Sequence, residues 1–209
     1  MKYVLVSVSF LLLFLFSTAQ KIVCNLNTGY AFGCSFDAYH DTANYYAASI
    51  DPGIKYGLDL GYKLDRNFSF DLSLQYQNAM VPSNVHYNGN NLSQTLQVNV
   101  LWIQAGGTSY LPANHFEFTL GTYLGMGVYR FSELPTSDRN SFARFGWSVR
   151  GGCGYYFSKR IGLNVRSDAL FSTDPLSKPF STPGLSNGKT GYTFFFQFGL
   201  STGLTILLF

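Results

Sequence analysis

In the stretch Asp51-Pro52-Gly53-Ile54-Lys55-Tyr56-Gly57-Leu58-Asp59-Leu60-Gly61-Tyr62-Lys63-Leu64-Asp65 the side chains alternate in kind from Gly53 onward. The even positions Ile54, Tyr56, Leu58, Leu60, Tyr62 and Leu64 are apolar or aromatic. The odd positions Gly53, Lys55, Gly57, Asp59, Gly61, Lys63 and Asp65 are small or charged. A β-strand sends successive side chains to opposite faces, so one face here is wholly apolar and the other polar. In a soluble sandwich the apolar face would be core and the polar face solvent. When the pattern recurs in nearly every strand of an exported chain, a barrel with lipid outside and a polar lumen is the better reading.

Seven more stretches repeat the pattern. The first strand spans about Leu26 to Tyr39, with Tyr30, Phe32, Cys34, Phe36 and Ala38 on the apolar face. Strand two is the segment quoted above. Strand three sets Phe68, Phe70, Leu72, Leu74 and Tyr76 against Ser69, Asp71, Ser73 and Gln75. Strand four runs from about Leu92 to Leu111, with Leu96, Val98, Val100 and Trp102 assigned outward. Within it, Gly106-Gly107 predicts a bulge or bend that resets the phase. Strand five places Phe116, Phe118, Leu120, Leu124, Met126 and Val128 outward. Strand six places Phe145, Trp147, Val149, Cys153, Tyr155 and Phe157 outward, against Arg144, Ser148 and Arg150. Strand seven sets Ile161, Leu163, Val165, Ala169 and Phe171 against Asn164, Arg166 and Asp168; strand eight, Tyr192 to Phe209, is the most apolar.

The connections alternate too. Those near Asp65-Arg66-Asn67, Pro112 to His115 and Ser158-Lys159-Arg160 are tight. The spans His40–Ile50, Asn78–Asn91, Ser132–Phe142 and Ser172–Gly191 read as long and polar. Short turns on one side and long loops on the other, with both termini beside the short turns in the periplasm, is the pattern of an outer-membrane barrel. The expected fold is therefore all-β: a closed, antiparallel, up-and-down transmembrane β-barrel of eight strands, or ten if Gly106-Gly107 separates two. Closure leaves no unpaired edge in lipid. Aromatics beside the short turns, Tyr62, Phe68, Phe70, Phe116, Phe118, Tyr155 and Phe157, read as a lipid-facing interfacial girdle. General strand propensity for aromatics is the competing explanation.

Composition agrees. Aromatic residues make up 18% of the chain and charged residues 12%, about half the charged fraction of ordinary soluble domains. Mean hydropathy is only +0.06, because apolar and polar residues alternate instead of forming blocks. Residues 1–19 have the form of a signal peptide: Lys2, an apolar run from Tyr3 to Phe16, then Ser17-Thr18-Ala19. Residues 20–209 form the barrel domain. The net charge of +3 drops to +2 without Lys2, and no basic cluster exists, so nucleic acid is not an expected partner. Lys21-Ile22-Val23 before Cys24 puts a charge where a lipidation motif has small and apolar residues. Cys34 and Cys153 read as small lipid-facing hydrophobes rather than a disulfide.

These strands, the loop alternation, the export signal and the terminal aromatic resemble the small outer-membrane β-barrel family of Gram-negative bacteria, of the eight-stranded OmpA/OmpX type. The resemblance implies residence in the bacterial outer membrane, contact with its lipids, and insertion by the barrel-assembly machinery, which reads a final strand ending in an aromatic residue. Phe209 and Leu207 fit that signal, whereas Thr205, Gly203 and Ser201 are weak. Leu204, Ile206 and Leu208 form the more apolar series, so the register of the last turn stays open.

An eight-stranded barrel has an interior just wide enough for its own side chains. The inward faces predict a lumenal ion-pair network of Asp59, Asp71, Arg150, Arg166 and Asp168, joined nearer the periplasm by Lys63 and Glu117. Buried charges need partners. The network serves either as an ion path or as a polar plug, and the narrow interior favours the plug. His40, Asp41, His86 and His115 lie in connections, with no nucleophile at a motif spacing. No HExxH, CxxC, Walker or glycine-rich nucleotide pattern occurs. No catalytic, cofactor-binding or metal residues are assigned, and no cofactor is expected. Binding is expected in the long loops, toward a surface or envelope protein or a glycan. A small channel or secretion component is the alternative, and a lipid-modifying enzyme a third reading.

Overall fold

The computed structural model describes residues 22–39, 45–87, 90–133, 139–173 and 194–208. They form ten strands: β1 (Ile22–Ala31), β2 (Cys34–Tyr39), β3 (Tyr45–Ile50), β4 (Gly53–Lys63), β5 (Phe68–Tyr87), β6 (Asn90–Ala113), β7 (Phe116–Glu133), β8 (Arg139–Tyr156), β9 (Ile161–Thr173) and β10 (Phe194–Leu208). Eight of them close a barrel in the order β1-β4-β5-β6-β7-β8-β9-β10, every neighbour antiparallel. The ring shuts where the first stave meets the last, from Ile22 against Leu208 to Ala31 against Gly199.

β2 and β3 are continuations of β1 and β4, not additional staves. The ladder between them breaks at Phe32-Gly33 and Asp51-Pro52 and resumes at Cys34 against Ile50. Proline cannot donate to a ladder, and the wall is held across the break by Phe32 N donating to Phe198 O (2.8 Å) and Asp51 N to Met80 O (2.8 Å). β3 then pairs with the far half of β5. Ten strand segments thus make an eight-stave barrel, and the extra count has nothing to do with Gly106-Gly107. β6 runs through those glycines without a bulge, paired continuously on both sides.

Local chemistry sets the tight turns. The Asp65 carboxylate accepts the Asn67 amide (2.7 Å), and Ser158 Oγ accepts the amides of Arg160 (3.2 Å) and Ile161 (2.9 Å). β7 follows β6 after only Asn114 and His115; Asn114 sits at φ 57°, a region asparagine tolerates well. The opposite end differs from expectation. Most of the Asn78–Asn91 span is strand, since β5 reaches Tyr87 and β6 begins at Asn90; β3 likewise occupies Tyr45–Ile50, and β8 starts at Arg139. Hairpins hydrogen-bonded beyond the membrane satisfy their backbone, which polar composition alone does not reveal.

The outer face is apolar along most of its length, with Phe70, Leu72, Ile103, Leu120, Leu124, Leu163 and Phe196 exposed. On β6 the outward run from Leu101 to Leu111, at about 3.4 Å per residue and a tilt of about 40°, rises about 26 Å, close to the apolar band of such barrels. One assignment is corrected: Leu96, Val98, Val100 and Trp102 point into the barrel, each 3% exposed or less, while Leu101 and Ile103 point out. At the last strand, Phe196, Phe198, Leu200 and Leu208 are exposed while Gln197, Ser201 and Thr205 are buried. The alternation therefore holds its phase as far as Leu208, with the even positions outward.

Candidate functional site

The lumen is built in levels. At the turn end, Lys63 Nζ donates to Glu117 Oε2 (3.0 Å) and lies over the Tyr110 ring, 3.9 Å from its centroid. Tyr156 donates its hydroxyl to the other Glu117 oxygen (3.0 Å). Beside them Asn164 Nδ2 donates to Thr205 Oγ1 (3.0 Å), which donates to Asn25 Oδ1 (2.7 Å).

One level in stands Asp71, which takes no salt bridge among the described residues. Ser69 donates to its Oδ1 (2.6 Å), and Tyr123 (2.8 Å) and Thr108 donate to Oδ2. The sequence grouped Asp71 with the ion pairs; the structure surrounds it with hydroxyls. Its link to the charges runs through Tyr123, whose ring is covered by the Arg150 guanidinium at 3.9 Å from the centroid. A hydroxyl donor toward a carboxylate and a cation over the same ring reinforce each other electrostatically.

The middle of the barrel is organised around Asp59, 2% exposed. Its Oδ1 accepts Arg150 Nη1 (3.2 Å), and its Oδ2 accepts Arg166 Nη1 and Asn27 Nδ2 (3.0 Å). Arg150 also donates to Ser73 Oγ (2.8 Å) and Gln104 Oε1 (2.5 Å), and Ser148 donates to the same Gln104 oxygen (3.1 Å). One carboxylate from β4 is thus gripped by guanidinium groups from β8 and β9, on the opposite wall. Next comes a buried ion pair between Lys55 and Asp168. Lys55 was read as inward-facing but not as a network member; its position opposite β9 follows only once the barrel is closed. These levels bring Lys55, Lys63, Arg150 and Arg166 together with Asp59, Asp71, Asp168 and Glu117.

Toward the loop end the lining turns apolar. Trp102 lies against Gly127 and Gly146, where any Cβ would run into its indole, and meets Tyr129 edge-on (ring centroids 5.7 Å apart, 82°). Val81, Leu96 and Val98 are buried beyond it. Glycine on the facing walls is what leaves room for an indole inside eight strands.

Of the girdle residues, Phe70, Phe116, Phe118, Tyr155 and Phe157 are exposed on the outer wall, while Tyr62 and Phe68 are half-buried. Phe68 meets Phe70 edge-on (5.3 Å) and covers Gly107, and Phe116 packs on Tyr155 (5.2 Å). Cys24, Cys34 and Cys153 are all free. His115 lies at the turn end. His40 and Asp41 fall outside the described residues, as does the seventh connection, 174–193; the His86 side chain is not described either.

The sequence matches the family described as outer membrane protein beta-barrel domain over residues 8–202. No curated protein matches it. Among solved structures, Neisserial surface protein A superposes with a TM-score of 0.55 at 12% identity, covering 89% of this chain and 96% of that one. The attachment invasion locus protein Ail of Yersinia pestis, solved with the heparin analogue sucrose octasulfate, gives 0.47 at 11% identity, covering 88% and 99%. The outer membrane protease OmpT from Escherichia coli gives 0.47 at 9% identity, covering 90% and 97%. At these identities the likeness concerns the fold alone.

Proposed function

Because the chain belongs to the outer membrane protein beta-barrel domain family and is an integral outer-membrane protein, we propose that it works as a non-catalytic structural or binding protein whose lumen is plugged by its own charged side chains. The observation that carries this reading is the Asp59 cluster: a nearly fully buried carboxylate holding two arginines from the opposite wall, in the middle of the barrel. Opening a path there would separate oppositely charged groups that are buried against one another in the narrow lumen. The Trp102 level closes the lumen a second time with apolar bulk.

The short turns share one end of the barrel with Ile22 and Leu208, which supports a periplasmic placement for that end and an external one for the long hairpins β2-β3, β5-β6 and β7-β8. Those hairpins rest on a hydrogen-bonded wall, a rigid base for contact with a surface protein, an envelope protein or a glycan. The family and a last strand apolar on most of its outer face support insertion by the barrel-assembly machinery.

A small channel is the second reading, favoured by one observation. A cavity of about 50 Å³ on the turn side of the Asp59 cluster is lined by Asp71, Glu117, Arg150 and Arg166, room for a few waters. Planar-bilayer recording separates the two. The plug predicts no stable large conductance for the wild-type chain, and regular large steps would overturn it.

A further inference from the structure

On β5, β6 and β7 the outer wall changes character along a line. Tyr76, Leu101 and Val128 form one cross-strand row, and Asn78, Asn99 and Arg130 form the next outward row toward the loop end. Beyond these, Gln97 is paired with Met80 on one side and Ser132 on the other. Between the rows lies a groove of about 480 Å³, lined by Tyr76, Leu101 and Val128 and by Gln97, Asn99, Arg130 and Ser132. Its lining contains a cation and no carboxylate.

The polar side is oriented. Tyr76 donates its hydroxyl to Asn99 Oδ1 (2.6 Å), and Asn78 Nδ2 donates to the same oxygen (2.9 Å). Both donors come from β5, so the Asn99 carboxamide is held with its oxygen toward β5. Its Nδ2 is left to donate elsewhere. Arg130, its direct cross-strand partner on β7, is exposed. A guanidinium and an amide donor therefore stand side by side over an apolar floor. The opposite wall is built differently. There Trp147 stacks on Phe171 (4.2 Å), Phe171 packs on Phe196 (5.0 Å) and Phe32 on Phe198 (5.6 Å). No basic side chain stands among those described aromatics.

We propose that this groove is a site for the phosphorylated, multiply acylated glycolipid of the outer leaflet. Arg130 and Asn99 hold one phosphate, Gln97 and Ser132 face the sugar hydroxyls, and acyl chains lie over Leu101 and Val128. Guanidinium groups match phosphate oxygens in charge and geometry. The row of apolar side chains directly beneath places the phosphate at the height where headgroup meets hydrocarbon. This rests on the external placement of the loop end; surface labelling of the β5-β6 hairpin in intact cells checks that placement separately.

The test uses the full mature chain in phosphatidylcholine nanodiscs doped with lipid A, with lipid A retained per barrel measured by native mass spectrometry. Arg130→Gln and Asn99→Leu are each expected to weaken retention about ten-fold, while Arg66→Gln in a tight turn at the other end leaves it unchanged. Lipid A stripped of its phosphates should be retained as weakly by the wild-type chain as intact lipid A is by Arg130→Gln. Equal retention by wild type and Arg130→Gln would overturn the site. Equal competition by phosphatidylglycerol would overturn the glycolipid assignment, whatever the labelling shows.

Discussion

The two halves of the lumen are lined by opposite chemistry. Toward the turns the interior is ionic and hydroxyl-rich, with Asp59, Arg150, Arg166, Asp71 and Tyr123 tied across the barrel. Toward the hairpins it is packed by Trp102, Tyr129, Val81, Leu96 and Val98. The outer wall changes in the reverse sense, from apolar at Leu101 and Ile103 to polar at Asn99 and Gln97. Inside a membrane the solvent is oil, so the polar groups go to the lumen. Beyond it the solvent is water, and the wall packs like an ordinary soluble sheet.

The sharpest way to break this contrast is Asp59→Ala. It strands two buried guanidinium groups and is expected to destabilise the barrel by about 3–5 kcal/mol, read from denaturant unfolding in micelles. A loss below about 1 kcal/mol would mean that water enters the middle of the lumen and the ionic half is not sealed.

Trp102→Ala tests the other half. Removing a large buried aromatic is expected to cost about 3 kcal/mol or more, whereas its neighbour Leu101→Ala costs less because acyl chains fill the space it leaves. The same unfolding assay applied to both variants distinguishes inside from outside at adjacent positions. Equal losses would contradict the orientation of β6.

The smallest effect is expected at the rim, where Tyr156→Phe removes one hydrogen bond to Glu117 while Lys63 still holds that carboxylate. About 1–2 kcal/mol should be lost. A larger loss would show that the turn-end pair is sealed as tightly as the centre.

Most of the wall was legible because a single rule governs it. From Gly53 to Lys63 and from Phe68 to Gln77, apolar residues meet lipid and small or charged ones meet the lumen, so parity alone orients every side chain. β6 defeats that rule. Its even positions Leu96, Val98, Val100 and Trp102 are more apolar than Gln97 and Asn99, because that part of the strand lies where the preference has reversed. Counting back from the Asn114-His115 turn would have given the correct phase, since Tyr110, Thr108 and Gln104 are inward and Leu111, Ile103 and Leu101 outward. The partners of Asp71 were not foreseen, for another reason. Sequence shows that an acid faces inward, but not that Thr108 and Tyr123, from two other strands, reach it first. Lys55 was similarly unpaired on paper, since Asp168 is 113 residues away and becomes a neighbour only across the lumen.

The seam between Ile22–Ala31 and the final strand has a bearing on how the protein is made. The strands that complete the ring are the first and the last of those described, so a chain lacking either one cannot close. Until the final strand has been made and exported, β1 and β9 each present a bare row of amides and carbonyls that hydrocarbon cannot solvate. Assembly must therefore be held at an incomplete sheet, in a sheltered place, and committed to the bilayer in one closing step.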